Sequence, residues 1–165
     1  MDVLWAPWRM AYIEQDQQKE PGCIFCPRIA RHNDREDLIL WRSELASVFI
    51  NRFPYNNGHL MVVPNRHLAE FCDLTEPEII ETHHLIYLCL CALKKAMNPA
   101  GYNLGLNLGK TAGAGVLDHL HWHIVPRWEG DTNFMPVIAD TKVMPEHLSS
   151  TYQKLQKAFQ EVSKK

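Results

Sequence analysis

The sequence predicts an α+β domain: an antiparallel sheet of about five strands, a long helix packed on it, and a C-terminal helix. Three observations carry this. Short apolar segments bounded by turn residues stand on both sides of one long helical segment, an order that favours α+β over a doubly wound alternation. Residues 75–98 carry helix start and stop signals. The 165 residues suffice for one domain with a sizeable core. Hydrophobic residues at 46% and charged residues at 22% exclude disorder, collagen and coiled coil as the main architecture.

In chain order, residues 1–20 open with Leu4-Trp5-Ala6-Pro7-Trp8-Arg9 and end in a polar run. The tryptophans need burial, so this is a docked N-terminal arm followed by a loop. Pro21-Gly22 marks a turn, and Cys23-Ile24-Phe25-Cys26 leads into a short helix through Arg31. Strands are expected at 38–41, 46–50 and 59–63, the last stopped by Pro64, with the loop Phe53-Pro54-Tyr55-Asn56-Asn57-Gly58 between the second and third. Thr75-Glu76-Pro77-Glu78 reads as a capping box with proline in the first turn. The helix runs to Met97 or Asn98, with Ile79, Ile80, Leu85, Ile86, Leu90 and Leu93 forming its apolar face. A strand at 102–108, a glycine-rich loop at 109–115 and a strand at 119–125 ending at Pro126 follow. A helix over 145–162 carries Leu148, Tyr152, Leu155 and Phe159 at helical spacing. The whole is one domain, 1–165, with residues 129–165 as a C-terminal extension.

Lys and Arg number 17 against 19 Asp and Glu, a formal charge of −2. A duplex nucleic-acid binder needs a basic surplus, so no nucleic acid is expected as partner. An anionic ligand would have to be held by local groups: backbone N–H, a few cations, histidines. The first five residues show neither a basic nor an apolar leader region. The longest apolar stretch, 85–93, is too short to span a bilayer, so no membrane partner and a cytoplasmic, reducing location are expected. There, Cys23-x-x-Cys26 points to metal or redox chemistry before a disulfide. A thioredoxin-like role is disfavoured because no βαβ pattern surrounds the pair. Two cysteines supply only two of the four ligands that a structural zinc needs.

Nine histidines are many for this length, and three fall in His119-Leu120-His121-Trp122-His123-Ile124-Val125. In a strand, His119, His121 and His123 share one face, with neighbours about 6–7 Å apart. Neutral imidazole is a nucleophile, a proton carrier and a metal ligand. The strand therefore reads as catalytic or as a three-histidine metal centre. Three half-buried polar residues with no role would be a costly way to build a core. Gly109-Lys110-Thr111 invites a P-loop reading, but Leu104 stands where that motif needs glycine, and no helix pattern follows. Backbone amides of a loop containing Gly113 and Gly115 can still face an anion.

The pattern His-φ-His-φ-His-φ-φ resembles the signature of the histidine triad (HIT) superfamily of nucleotidyl hydrolases and transferases. The resemblance extends over residues 22–128. It takes in the Cys-x-x-Cys, Phe49-Ile50-Asn51, Gly58-His59-Leu60-Met61-Val62-Val63-Pro64, Asn107 and the glycine-rich loop. Leu4-Trp5-Ala6-Pro7-Trp8-Arg9 and Val125-Pro126-Arg127-Trp128-Glu129-Gly130 resemble the bacterial branch that includes diadenosine tetraphosphate phosphorylases. The resemblance implies a HIT-like fold and a purine nucleotide or dinucleoside polyphosphate substrate. His121 would be the nucleophile that forms a covalent nucleotidyl–histidine, with phosphate or water as the second acceptor. His123 and His59 would serve the phosphate or the leaving group. Asn51 would hold the ribose and Asn107 a phosphate. Trp122 and Trp128 are candidates to line the leaving-group side. Where many family members place a hydroxyl or amide side chain before the triad, this chain has Ala114-Gly115-Val116, which leaves that contact to backbone amides. The resemblance further implies a structural zinc on Cys23, Cys26, His67 and His119, no organic cofactor, and a homodimer in which two sheets join. Alternatives are an adenosine phosphoramidate hydrolase, a slow nucleotide-binding sensor, and a metal-dependent enzyme with the triad as ligands.

Overall fold

Five short segments of β-branched and apolar residues pair into one antiparallel sheet. A computed structural model describes residues 22–131 and 144–164. The expected N-terminal arm and residues 132–143 of the extension lie outside the described residues. The strands are β1 (Ile39–Arg42), β2 (Ala46–Ile50), β3 (Leu60–Pro64), β4 (Gly101–Leu106) and β5 (Trp122–Arg127), in the spatial order β1-β2-β3-β5-β4. The helices are α1 (Cys26–Arg31), α2 (Asp34–Asp37), α3 (Glu76–Met97) and α4 (Leu148–Val162). Among the described residues no helix is long and apolar enough to cross a membrane.

The long helix begins as its sequence dictates. Thr75 Oγ1 accepts from the Glu78 N–H at 3.4 Å, and Glu78 Oε2 accepts from the Thr75 N–H at 2.8 Å. Arg66 holds the same carboxylate through two hydrogen bonds, which pull the Glu78 carboxyl down to about 2. At the other end Asn98 takes the left-handed cap conformation at φ +45°. The apolar faces of α3 and α4 close one face of the sheet over Val48, Ile50, Leu60, Val62, Trp122 and Ile124. Strand alternation turns Ile39, Phe49, Met61 and Val63 to the other face, where Phe25 joins them.

The fourth strand covers 101–106 rather than 102–108, and four further differences from expectation have physical reasons. The last strand starts at Trp122, not at 119, because the preceding backbone has other partners: the Leu120 N–H donates to the Leu68 carbonyl at 2.7 Å. Pro126 does not stop that strand. It lies opposite Tyr102 where β5 has only β4 beside it, so the missing N–H interrupts one ladder at most. Pro64 likewise sits inside β3, as its last residue, paired with Ala46. The C-terminal helix starts at Leu148 rather than 145 because the His147 ring caps it, accepting from the Ser149 N–H at 3.3 Å. The four-residue α2 was not foreseen from the sequence.

Candidate active site

The second face of the sheet carries a row of side chains in register: Ile39, Phe49, Met61, His123 and Gly105. His123 thus projects from the middle of the apolar face, and the His121 ring lies against it at 4.8 Å between centroids. The three triad histidines do not share one strand face at regular spacing, since His119 and His121 precede β5. Each is held differently.

Their hydrogen bonds assign the tautomers of the neutral rings. His121 Nδ1 lies 2.9 Å from the His119 carbonyl, which only accepts, so Nδ1 carries the proton and Nε2 has the lone pair. His59 Nδ1 accepts from the Tyr55 N–H at 3.0 Å, with Asn51 Nδ2 at 3.3 Å. The proton of His59 is therefore on Nε2, which faces His123 Nδ1 at 3.0 Å. His123 accepts there and carries its own proton on Nε2. One imidazole thus offers a lone pair and its neighbour a proton. Burial pushes His121 below the usual histidine value, and burial beside His121 pushes His123 down to about 4, so both are neutral at pH 7.

His119 faces away from this pair. Its Nε2 lies 2.9 Å from the Pro64 carbonyl and so bears the proton, leaving Nδ1 bare toward Cys23 Sγ at 3.0 Å and Cys26 Sγ at 3.6 Å. His67 Nδ1 lies 3.4 Å from Cys26 Sγ. The four ligand atoms fall within 4.8 Å of one another, a group that can hold a metal ion. Among the described residues it is the only such group, and the triad does not form another. Cys23 Sγ also accepts from the backbone N–H groups of Phe25 and Cys26 at 3.3 and 3.5 Å, as a thiolate would. Burial and the adjacent Cys23 push the Cys26 thiol up to about 11.

The model of the HIT domain matches residues 33–130. The chain belongs to the HIT family. A Mycobacterium tuberculosis protein named AP-4-A phosphorylase is 40% identical over 154 residues, spanning 90% of this chain and 79% of that protein. A hypothetical histidine triad nucleotide-binding protein from Sulfolobus tokodaii superposes with a TM-score of 0.66 at 30% identity, over 84% of this chain and 90% of that one. A Zn-bound histidine triad family protein from Mycobacterium smegmatis gives a TM-score of 0.70 at 21% identity, over 87% and 96% of the two chains, a likeness of fold.

The HIT fold brings several of the remaining predicted residues near the triad. Leu106 pairs with Trp122, so Asn107 follows β4 just past the end of the ladder that His121 precedes. The loop with Gly113 and Gly115 runs up to the triad, and its Val116 packs on the apolar face near Phe25. Gly58 takes φ +76°, and a Cβ there would stand 2.7 Å from Met97 Sδ, so glycine alone lets the chain turn into His59. The Asn51 amide is engaged twice, Nδ2 on His59 and Oδ1 accepting from the Phe53 N–H at 2.9 Å. The two tryptophans do not flank the histidines. Trp122 is turned to the helix face, against Phe71 and His83. Trp128 follows β5 at its far end, seven residues or roughly 23 Å along the strand from His121.

Sequence reasoning missed two contributors. The Phe25 ring, between the two cysteines, packs on His121 at 5.4 Å and on His119 at 5.3 Å. Tyr55 sets His59 through its backbone N–H and lies over its ring at 4.9 Å. The place of Phe25 inside the Cys-x-x-Cys is the one signal that could have found it.

Proposed function

We propose that the chain cleaves dinucleoside polyphosphates of the diadenosine tetraphosphate type at the α-phosphate, in two displacements through His121. The observation that carries this is the pairing of tautomers: a bare His121 Nε2 beside a protonated His123 Nε2. The name of the 40%-identical relative supports the substrate class. In the first step His121 Nε2 bonds to the α-phosphorus and the bond to the bridging oxygen breaks. The polyphosphate leaves as an anion, and His123 Nε2–H can donate a hydrogen bond to its departing oxygen. In the second step inorganic phosphate or water attacks the nucleotidyl–histidine, restoring His121. Phosphate yields ADP and ATP from diadenosine tetraphosphate; water yields AMP and ATP. His59 positions His123, and Asn51 bonds His59 while its second N–H can reach a ribose hydroxyl. Asn107 and the amides around Gly113 and Gly115 face the phosphoryl oxygens.

We further propose that Cys23, Cys26, His67 and His119 hold zinc. A tetrahedral zinc with bonds of about 2.3 Å to sulfur and 2.0 Å to nitrogen spaces its ligand atoms about 3.3–3.8 Å apart; three separations here are 3.0, 3.4 and 3.6 Å, and all lie within 4.8 Å. Four protein ligands close the coordination sphere, so its role is structural. The β4 edge, with Leu104 half exposed, suits sheet-to-sheet pairing in a homodimer. We place the protein in the cytoplasm, as one domain with an N-terminal arm and a C-terminal extension.

Product analysis on diadenosine tetraphosphate, with and without phosphate, tests the reading. ADP plus ATP only with phosphate identifies a phosphorylase; AMP plus ATP regardless identifies a hydrolase. Tight nucleotide binding without turnover of this substrate or of adenosine phosphoramidate overturns the enzymatic reading and leaves a sensor.

A further inference from the structure

We infer that the Cys23/Cys26/His67/His119 group positions the nucleophile, through two contacts that its own residues make with the His121 ring. The inference rests on the proposal that His121 is the nucleophile. The first contact is covalently continuous with the group. The residue that turns Nδ1 toward the two sulfurs also turns its carbonyl to the His121 Nδ1–H at 2.9 Å. That bond leaves the lone pair on Nε2. The second contact is Phe25, tethered on both sides by the cysteines and 1% exposed. Its ring lies edge-on to His119 and against His121, and it is backed by Phe49 at 5.4 Å. Among the described residues, the ring and hydrogen-bond contacts of His121 other than His123 are with this group or the turn it ties.

Mere attachment of the N-terminal turn does not require the group. Arg42 already binds the carbonyls of Ile29 and Arg28 at 2.7 and 3.2 Å, Arg28 reaches the Asp37 carbonyl, and Ile24 and Ile29 pack on the apolar face. Those contacts do not reach His119 and Phe25, the two supports of the nucleophile, which the Pro64 carbonyl and Phe49 hold from one side and the cysteines from the other. A misplacement near 1 Å at a reacting group lowers rates about 100-fold, so a group fixing both supports acts on turnover. Cys23, Cys26 and His67 are then positioning residues, and His119 is one too through its carbonyl.

The test uses ¹⁵N-histidine spectra of the full chain without substrate, read beside turnover of diadenosine tetraphosphate. The zinc-loaded protein should show one His121 tautomer, protonated at Nδ1. His67→Ala removes the one exposed ligand and spares the core. It should lose metal, show mixed His121 tautomers, and lose about 10- to 100-fold in kcat with KM changed less than about threefold. Phe25→Leu should keep its metal content and lose about tenfold in kcat. A His67→Ala protein with lower Tm and no metal, but an unchanged His121 signal and kcat, overturns the coupling. Turnover surviving in His121→Asn removes the reading beneath it. The two failures are distinguishable because the tautomer signal is read without any reaction.

Discussion

His119 and His123 stand two residues to either side of the same imidazole, yet they have opposite surroundings. His119 is 1% exposed, gives its Nε2 proton to the Pro64 carbonyl and turns Nδ1 to two cysteine sulfurs. His123 projects from the sheet, accepts a hydrogen bond from His59 Nε2–H on Nδ1 and keeps its own proton on Nε2. The difference teaches that spacing makes flanking histidines look equivalent while their partners decide what each can do. One is built to be held, the other to donate a hydrogen bond.

The largest effects lie at the residue between them. His121→Asn should lower turnover at least about 10⁴-fold with its melting temperature nearly kept, because no other lone pair stands where the phosphorus must bind. Trapping of a phosphorus–nitrogen adduct by mass spectrometry in the parent, and its absence in the variant, checks the same point. His123→Gln should cost about 10²- to 10⁴-fold, and the loss should track the leaving group. It should be severe for a phosphoramidate, whose poor leaving group needs the most help, and slight for a p-nitrophenyl ester, whose phenolate leaves unaided. His119→Asn should lose metal and stability and slow both substrates equally. If the two flanking variants respond alike to the leaving group, the division of roles fails.

How much of this the sequence disclosed follows the same division. Apolar segments between turn residues and the capping box gave the first three strands and α3 to within a residue, because local patterning and end chemistry decide them; alternation found the last two strands but misplaced an end of each by two or three residues. Three histidines in alternate positions were legible as a shared purpose, but not as a shared face. Pairing of the Leu120 N–H with Leu68 takes residues 119–121 out of the ladder, and no local signal announces a partner 52 positions away. The Cys/His group came from resemblance alone, since spacing supplied only Cys23 and Cys26. The tautomers were illegible for a related reason. They depend on backbone groups of Tyr55, Pro64 and His119, and a backbone carbonyl has no letter in a sequence.

The pH dependence of stability separates the two flanks by energy. Burial beside His121 lowers His123 from 6.5 to about 4. Between those values the unfolded chain binds the proton and the folded chain does not, so stability rises with pH there. The contribution is complete above pH 6.5 and is lost as pH falls toward 4, amounting to roughly 3 kcal/mol at most. Urea melts at pH 7.5 and 5.0 should differ accordingly, and His123→Gln should flatten the difference. An unflattened profile would assign the acid sensitivity to other groups and leave His123 better solvated than its place between Met61 and Gly105 implies.

The smallest effect serves as the control for all of these. Thr75 caps α3 on the helix side of the sheet, where neither flank of His121 has a partner. Thr75→Ala removes one side of the capping box and should lower stability by about 1 kcal/mol. It should leave kcat, metal content and the His121 tautomer as they were. Stability lost at the cap and stability lost at His67 would then have different consequences at similar size. A Thr75→Ala protein whose kcat falls in proportion to its Tm would mean that turnover follows general firmness of the fold. In that case the distinct surroundings of His119 and His123 would not explain the effects of their variants.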